Sequence, residues 1–322
     1  MLSARFHASA LRGGKSSEDD PGPRCGHTLT ALQWDGVHRL VAFGGATALE
    51  NSSASTTTGT TDKIDSDVNT NGVKSTTTKN GTSSSGVRLA GATNDVHVFD
   101  VKSGTWQKLY PSGDPPSARA AHASANVGGM LVVHGGIGPS GLSGPDLHVL
   151  DLANYHHHHA NTNDEENNNN NNNNTGATTT TTSKPAKELK WQRVAVAGEG
   201  PVPRYAHSLA FVAGRYLVCC CGNDGSKCLD DGWVLDTAAK PYAWKKLEAT
   251  GDVPSPRMYA SACARSDGLL LLTGGRNAKG EAVADARGLA RHRDGTWEWA
   301  AAPGQAPCAR YQHASAFVEA RL

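Results

Sequence analysis

The amino-acid sequence predicts an all-β propeller of four-stranded antiparallel blades, because two spacings recur along the chain. A tryptophan stands 13 residues before an arginine in four pairs: Trp106–Arg119, Trp191–Arg204, Trp244–Arg257 and Trp297–Arg310. The last three of these arginines follow one another at intervals of 53 residues. The longer gaps from Arg24 to Arg119 and from Arg119 to Arg204 each hold one low-complexity insertion, without which they approach the same period.

Each copy of the repeat contains four strands in the same order. A histidine three residues after the arginine precedes the first, apolar strand, at His27, His122, His207 and His313, whereas the copy at Arg257 has Ala260. The second strand ends in glycine, at Phe43–Gly45, His134–Gly136, Cys221–Gly222 and Thr273–Gly275. The third spans Asp95–Asp100, Asp146–Asp151 and Asp231–Asp236, and the fourth begins at the tryptophan. Short strands repeating at about 50 residues indicate a Kelch-type β-propeller.

Elementary packing explains the repeated residues. A single blade cannot bury both of its faces, so blades stack around an axis and protect one another's edges. Paired glycines after the second strand allow positive φ and close approach of a neighbouring backbone. One tryptophan per blade supplies a large apolar wedge between blades. Cys221 departs from this pattern, because its sister repeats have glycine there.

The repeat divides the chain into a leader and one propeller. Residues 1–20 lack a strand pattern and are expected to be a disordered leader; their basic, serine-containing composition also resembles an organelle transit peptide. Residues 21–322 form about four blades and start a fifth at Ala309, so we expect the ring to continue beyond Leu322. Insertions at about 51–86 and 155–187 are rich in Ser, Thr or Asn and are expected to be solvated loops.

Composition excludes several classes of partner. The 322 residues carry 31 Lys+Arg and 30 Asp+Glu, a net charge of +1, so there is no basic footprint for nucleic acid. No apolar run approaches the roughly 18 residues of a membrane span. The seven cysteines are odd in number and lack a zinc-type C-x-x-C pair. These features favour a reduced protein of the cytoplasm or nucleus, with organelle import as the alternative.

The repeated arginines are the candidate binding residues. One precedes the first strand of each copy, at Arg24, Arg119, Arg204, Arg257 and Arg310. A ring of guanidinium groups at one end of the channel suits an acidic or phosphorylated protein partner. The alternative is a structural arginine that bonds carbonyls or carboxylates of the blades. We expect the strand-three aspartates to bond turn amides, and the repeated histidines, with His97 and His148, to be packed and hydrogen-bonded rather than metal-ligating.

Several stretches resemble the Kelch region of the Kelch-containing Ser/Thr protein phosphatases of green plants and some protists. They are GPRCGHTLTA (22–31), FGGATALE (43–50), VRLAGATNDVHVFD (87–100), GGIGPSGLSGPDLHVLDL (135–152), LDTAAKPYAWKKLE (235–248), RMYASACARSDGLLLLTGGR (257–276) and HRDGTWEWAAAPG (292–304). The resemblance implies a propeller that precedes a phosphatase domain with two metal ions and acts in brassinosteroid signalling. The Gly-Asp-x-His, Gly-Asp-x-x-Asp-Arg and Gly-Asn-His-Glu motifs of that domain are absent, and Gly222–Gly225 is interpreted as a turn.

The sequence therefore predicts a regulatory protein-interaction propeller that holds no catalytic residue, cofactor or metal of its own. Its partners are expected to be proteins, including phosphorylated signalling proteins that it positions for a phosphatase. A stand-alone or ubiquitin-ligase-adaptor Kelch protein is one alternative, and a propeller enzyme is another. An iron-dependent specifier signature, Glu-x-x-x-Asp-x-x-x-His, begins at Glu281 and Asp285 but has Leu289 in place of the histidine ligand.

Overall fold

The fold consists of β-strands arranged in four successive blades. The computed structural model describes residues 19–47, 91–153, 155 and 188–317. Within these ranges there is no helix, and hence none that is long and apolar enough to cross a membrane. The predicted leader up to residue 18, the insertion at 51–86 and the insertion at 155–187, apart from Tyr155, lie outside the described residues.

Blades one and two contain the first twelve strands. Blade one consists of β2 (Thr28–Trp34), β3 (Val37–Thr47), β4 (Ala92–Asp100) and β5 (Thr105–Leu109), with β1 (Arg24–Cys25) paired to the end of β3. Blade two consists of β7 (Ala123–Val127), β8 (Met130–His134), β11 (Leu147–Asp151) and β12 (Lys190–Val194), with β6 (Ser112–Gly113) parallel to β12. The short strands β9 (Ile137–Gly138) and β10 (Gly141–Leu142) form a hairpin between β8 and β11.

Blades three and four repeat the arrangement. Blade three consists of β13 (Ser208–Val212), β14 (Tyr216–Cys220), β15 (Gly232–Asp236) and β16 (Trp244–Lys246). Blade four consists of β19 (Ser261–Ala264), β20 (Leu270–Thr273), β22 (Ala286–Arg291) and β23 (Trp297–Ala301), with β17 (Ala249–Gly251) parallel to β23. The two-residue strands β18 (Arg257–Met258) and β21 (Arg276–Asn277) pair beside it. The four-stranded antiparallel blades confirm the predicted fold class.

Three apolar clusters fill the joints between neighbouring blades. The first joins Phe43 of blade one to Trp191 of blade two, whose ring centroids lie 5.3 Å apart. Trp244 lies in the cluster of blades two and three, and Trp297 in that of blades three and four. The predicted tryptophan wedges are thus present at all three joints. Trp106 of blade one is only partly buried and packs on Phe99 within its own blade.

The segment before blade one is attached to it. The backbone carbonyl of Asp19 lies 2.9 Å from Nδ1 of His97, and its carboxylate accepts a hydrogen bond from the Lys108 amide at 3.0 Å. Both partners belong to blade one, in β4 and β5. The described contacts of the propeller therefore include Asp19, which sequence patterning assigns to the leader.

Candidate partner-binding face at the arginine corners

Two opposite faces of the propeller differ in their loops. We call one end of the propeller the corner face. There the segment around each repeated arginine meets the glycine end of strand two; Arg24, for example, pairs with Thr47. The loops from strand two to strand three leave from this face. We call the opposite end the turn face, since it holds the one-to-two and three-to-four turns, such as Asp35–Gly36 and Val101–Gly104. The strand ends that flank the first predicted insertion, Thr47 and Ala92, lie at the corner face, and those that flank the second, Asp151 and Lys190, lie at the turn face.

The corner arginines hold their own blades together. Arg204 is fully buried and donates from Nη1 and Nη2 to the two carboxylate oxygens of Asp231, at 2.7 and 2.9 Å. Its Nη1 also donates to the carbonyl of Cys221 at 3.0 Å. Burial by itself would raise the pKa of Asp231, but the bonds from Arg204 and the Trp233 indole outweigh it and hold that pKa below its usual value. The carboxylate stays charged beside the buried guanidinium.

Two further corners repeat this arrangement. Arg24 bonds Asp95 and the Gly44 carbonyl, and Arg257 bonds Asp285 and the Gly274 carbonyl. These first aspartates of strand three therefore bind the arginine, which corrects the expectation that they bond turn amides. The aspartate at the end of strand three does bond turn amides as expected. Asp100 accepts hydrogen bonds from the amides of Lys102 and Ser103.

Blade two departs from the other corners. Arg119 is buried, yet among the described residues its hydrogen-bond partners are neutral: the carbonyl and hydroxyl of Ser117 and the Gly135 carbonyl. Burial lowers the pKa of Arg119 to about 10, with the charge of Asp146 opposing the shift. Asp146 instead pairs at 2.8 Å with Arg193, which is exposed. The second blade thus keeps the corner without a carboxylate in direct contact.

The backbone of each corner also links it to the preceding blade. The amide of the last glycine of strand two donates to the carbonyl of the next corner arginine, in the pairs Gly45–Arg119, Gly136–Arg204, Gly222–Arg257 and Gly275–Arg310, at 2.8–2.9 Å. Burial of four guanidinium groups and these shared bonds favour the structural interpretation of the arginines. Arg310 alone is exposed, with its Nε on the Cys308 carbonyl at 2.9 Å. Contact of the five arginines with a partner stays a prediction.

Two of the repeated histidines, His122 and His207, are buried in the joints, whereas His313 is partly buried and His27 is exposed. Nε2 of His122 lies 3.0 Å from Oγ1 of Thr28, and Nε2 of His313 lies 2.9 Å from Oγ1 of Thr273. Burial lowers the pKa of His122 to about 3, with the neighbouring charge of Arg119 acting in the same direction. His122 and His313 are therefore neutral and hydrogen-bonded, as predicted, but the exposed His27 does not fit that prediction.

One joint brings together three side chains of the kinds that can bind a metal ion. His134, His207 and Cys219 are buried, and their ligand atoms lie within 4.8 Å of one another. Nδ1 of His134 and Nε2 of His207 already lie within hydrogen-bond distance, at 2.9 Å. Burial raises the pKa of Cys219 to about 12, so its sulfur is a neutral thiol at neutral pH. These contacts describe a packed cluster of neutral side chains at this joint.

A chain of left-handed residues surrounds the channel at the corner face. It consists of the second residue after each arginine, all with φ between 51° and 64°: Gly26, Ala121, Ala206, Tyr259 and Gln312. Each amide from Ala121 onwards donates to the carbonyl of the preceding member, at 2.7–3.1 Å. These contacts were not predicted, because four of the five residues are not glycine and give no local signal for positive φ.

The channel mouth is a cavity of about 280 Å³ that all five repeats line. Apart from Leu209 its described walls are small, polar or aromatic, and they carry no Asp, Glu, Lys or Arg side chain. Beside it lie Tyr205 and Tyr259, with ring centroids 6.4 Å apart, and Tyr311, whose ring lies 5.9 Å from Cζ of Arg276. Tyrosine and arginine are the residue types that most often dominate protein interfaces. The tyrosines directly after Arg204 and Arg310 were a sequence signal for this rim.

Comparison with known proteins identifies the repeats. A family model described as the KLHDC2/KLHL20/DRC7 Kelch-repeats domain matches residues 12–180 and 93–322. The chain is 50% identical over 284 residues to Serine/threonine-protein phosphatase BSL2 of Arabidopsis thaliana, covering 88% of this chain and 23% of that protein.

More distant relatives share only part of the chain. Acyl-CoA-binding domain-containing protein 5 of Arabidopsis thaliana is 27% identical over 58% of this chain, and 23% of that protein is covered. Kelch domain-containing protein 1 of Homo sapiens is 28% identical over 56% of this chain, and 36% of that protein is covered. The matched part of the chain thus spans only 23–36% of the length of these three curated relatives.

Proposed function

Because the chain belongs to the family of the KLHDC2/KLHL20/DRC7 Kelch-repeats domain, we propose that its propeller is the partner-binding part of a Ser/Thr protein phosphatase. The observation that carries this proposal is the identity of 50% with BSL2 across 88% of the chain. The other relatives compared reach only 27–29% identity over 56–58% of the chain. An identity of this size over most of the chain supports a shared task as well as a shared fold.

The propeller would act by recognition rather than by chemistry. Loops on a rigid scaffold are common sites of binding, and the corner face offers Tyr311, Arg276 and Arg310 around an uncharged mouth. In this proposal the partners are phosphorylated signalling proteins of the cytoplasm or nucleus. The two metal ions and the hydrolytic residues belong to a separate phosphatase domain of the same polypeptide.

Two experiments test the two parts of this proposal. The full transcript is expected to encode the Gly-Asp-x-His, Gly-Asp-x-x-Asp-Arg and Gly-Asn-His-Glu motifs after the propeller. A reading frame that completes a ring and stops without them would contradict the phosphatase assignment. The purified chain itself is expected to leave p-nitrophenyl phosphate unhydrolysed when Mn²⁺ is added, and hydrolysis that co-purifies with it would contradict its purely binding role.

Partner binding is tested with matched surface variants. Cross-linking in extracts of the source cells should capture proteins with the wild-type chain, and Tyr311→Ala and Arg310→Ala should reduce that capture. The control is Lys102→Ala, an exposed change on the turn face. Equal loss in all three variants, or none in any, would contradict recognition by the corner face.

A second candidate function is a Kelch protein that acts without a phosphatase. The similarity to Kelch domain-containing protein 1 favours it, since that name mentions no catalytic domain. The transcript experiment separates the two candidates. Capture of the same partners by a chain whose reading frame lacks phosphatase motifs would establish the second.

A further inference from the structure

A groove on the turn face, between blades three and four, has an excess of positive charge. It has a volume of about 510 Å³ and lies on the opposite side of the propeller from the tyrosine rim. Its charged lining residues are three cations and one carboxylate: Arg215, Lys245, Arg291 and Asp236. The groove therefore retains an excess of two positive charges, while the whole chain has a net charge of only +1.

The single carboxylate of the groove, that of Asp236, is paired with Arg215 of the same blade. Arg215 donates from Nε and Nη2 to the two oxygens of Asp236, at 2.9 and 2.7 Å. The hydrogen bond from Arg215 lowers the pKa of Asp236 to about 2, and the charge of Lys245 acts in the same direction. Asp236 is thus a fixed anion that Arg215 and Lys245 share, and it leaves part of their positive charge uncompensated.

Arg291 lies on the other wall, on blade four. Its Cζ is 4.8 Å from the ring centroid of Tyr216, and no carboxylate pairs with it among the residues that the structure describes. Tyr216 packs edge-on against Trp297, with ring centroids 5.6 Å apart. This aromatic pair supports the guanidinium from below, which orients it without neutralising it.

Among the described residues, the joint between blades two and three has no counterpart of Arg215. Its one-to-two turn is Gly128–Gly129, which carries no charged side chain where blade three has Arg215. In the part of the chain that the structure describes, Arg215 is therefore a feature of blade three that blade two does not repeat. Positions that only the fold needs recur in every blade, as the corner arginines do.

We propose that this groove binds a phosphate monoester carried on an extended peptide segment. Arg291 and Lys245 would contact the phosphate oxygens from opposite walls, since a phosphomonoester offers about two negative charges and three strong acceptors. Tyr216, Pro241 and Ala239 line the remainder and suit the apolar parts of a peptide. The proposal concerns a site on the turn face and does not depend on a phosphatase domain.

The test uses a fluorescein-labelled nonapeptide of Gly, Ala and Pro with one central phosphoserine, and the same peptide with serine. Fluorescence anisotropy with the full chain should show saturable binding of the phosphopeptide only, which weakens as salt is raised. Arg291→Gln and Lys245→Gln should each weaken binding by about tenfold or more, because each removes a charge-assisted bond. Lys279→Gln, an exposed change on the corner face, should leave binding unchanged.

Each contrary result would overturn the proposal. Equal binding of the serine and phosphoserine peptides would remove the phosphate from recognition. Unchanged phosphopeptide binding in Arg291→Gln and Lys245→Gln, with wild-type melting temperatures, would place the site elsewhere. Competition by inorganic phosphate at the same concentration as the phosphopeptide would show a bare anion site, and equally tight binding of a single-stranded oligonucleotide would show a nucleic-acid site.

Discussion

The joint between blades two and three differs from the joint between blades three and four in two linked positions. In the first joint, the imidazole of His207 lies directly against Gly135: a Cβ added at that glycine would lie 2.7 Å from Cε1 of the histidine. In the second joint, Cys221 replaces the glycine and Ala260 replaces the histidine. Cys221 keeps the left-handed conformation, with φ of 61°, and shares an apolar cluster with Ala260.

Cys221 and Ala260 each depart from the repeat. The two departures have one explanation, because a Cys–Ala pair packs in this joint where the other joints have a Gly–His pair. The other two joints agree, since a Cβ at Gly44 or Gly274 would lie 3.0 or 2.8 Å from Cε1 of His122 or His313. In these three joints an added Cβ would also lie 2.4–2.8 Å from the carbonyl of the next corner arginine, so the histidine and that carbonyl together favour a glycine. Where the histidine is absent, a side chain fits at the glycine position and fills the joint.

The largest expected effect distinguishes the arginine corner of blade three from that of blade two. Asp231→Ala leaves the guanidinium of Arg204 buried without its carboxylate, so we expect a loss of about 3–5 kcal/mol in the free energy of unfolding. Chemical denaturation followed by tryptophan fluorescence measures it. The matched change Asp146→Ala should alter stability little, since Asp146 bonds exposed Arg193 rather than Arg119. Equal losses in the two variants would contradict the difference between these corners.

The next largest effect is expected when a cysteine replaces the glycine in the joint between blades two and three. Gly135→Cys places a Cβ against His207 at a residue with φ of 61°. Overpacking and the left-handed conformation together are expected to cost about 2–4 kcal/mol. Gly128→Cys is the control, because Gly128 has φ of 60° but nothing within 4 Å of its added Cβ. If both variants lose the same stability, the contact with the histidine has no part in the loss.

Acid should weaken the histidine-containing joints first. The pKa of His122 falls from 6.5 to about 3 in the folded chain, chiefly through burial. A depressed histidine pKa gives full stability above the unfolded pKa and loses it as pH falls from 6.5 towards 3. At pH 5 we expect a loss of about 2 kcal/mol from His122 alone. Denaturation at pH 7.5 and 5.0 measures this loss, which should shrink in His122→Ala; an unchanged pH dependence in that variant would contradict the assignment.

The sequence predicted the frame of the fold because local spacing determines it. The interval from Trp191 to Arg204 fixes where one blade ends and the next begins, and apolar runs such as Leu217–Cys220 fix the strands. The tryptophan wedges follow from the same reasoning, since a large apolar side chain once per blade has only the joint in which to be buried.

The sequence could not predict the contacts that span many residues. Arg24 bonds Asp95 across the first insertion, whereas Arg119 has no such bond to Asp146, and both copies look alike in sequence. Cys221 and Ala260 were each visible as departures, yet only the stacking of blades brings their positions together. The groove on the turn face was missed for the same reason, because Arg215 and Arg291 belong to different repeats.

The smallest expected effect gives the most direct test of the pairing between Cys221 and Ala260. A double-mutant cycle of Ala260→His, Cys221→Gly and both changes together measures the coupling between the two positions by chemical denaturation. We expect Ala260→His alone to lose about 1–3 kcal/mol through overpacking, and Cys221→Gly alone to change stability by about 1 kcal/mol or less. The double variant should recover most of the loss, since it recreates the Gly135–His207 arrangement. Additive effects, with no recovery in the double variant, would contradict the account.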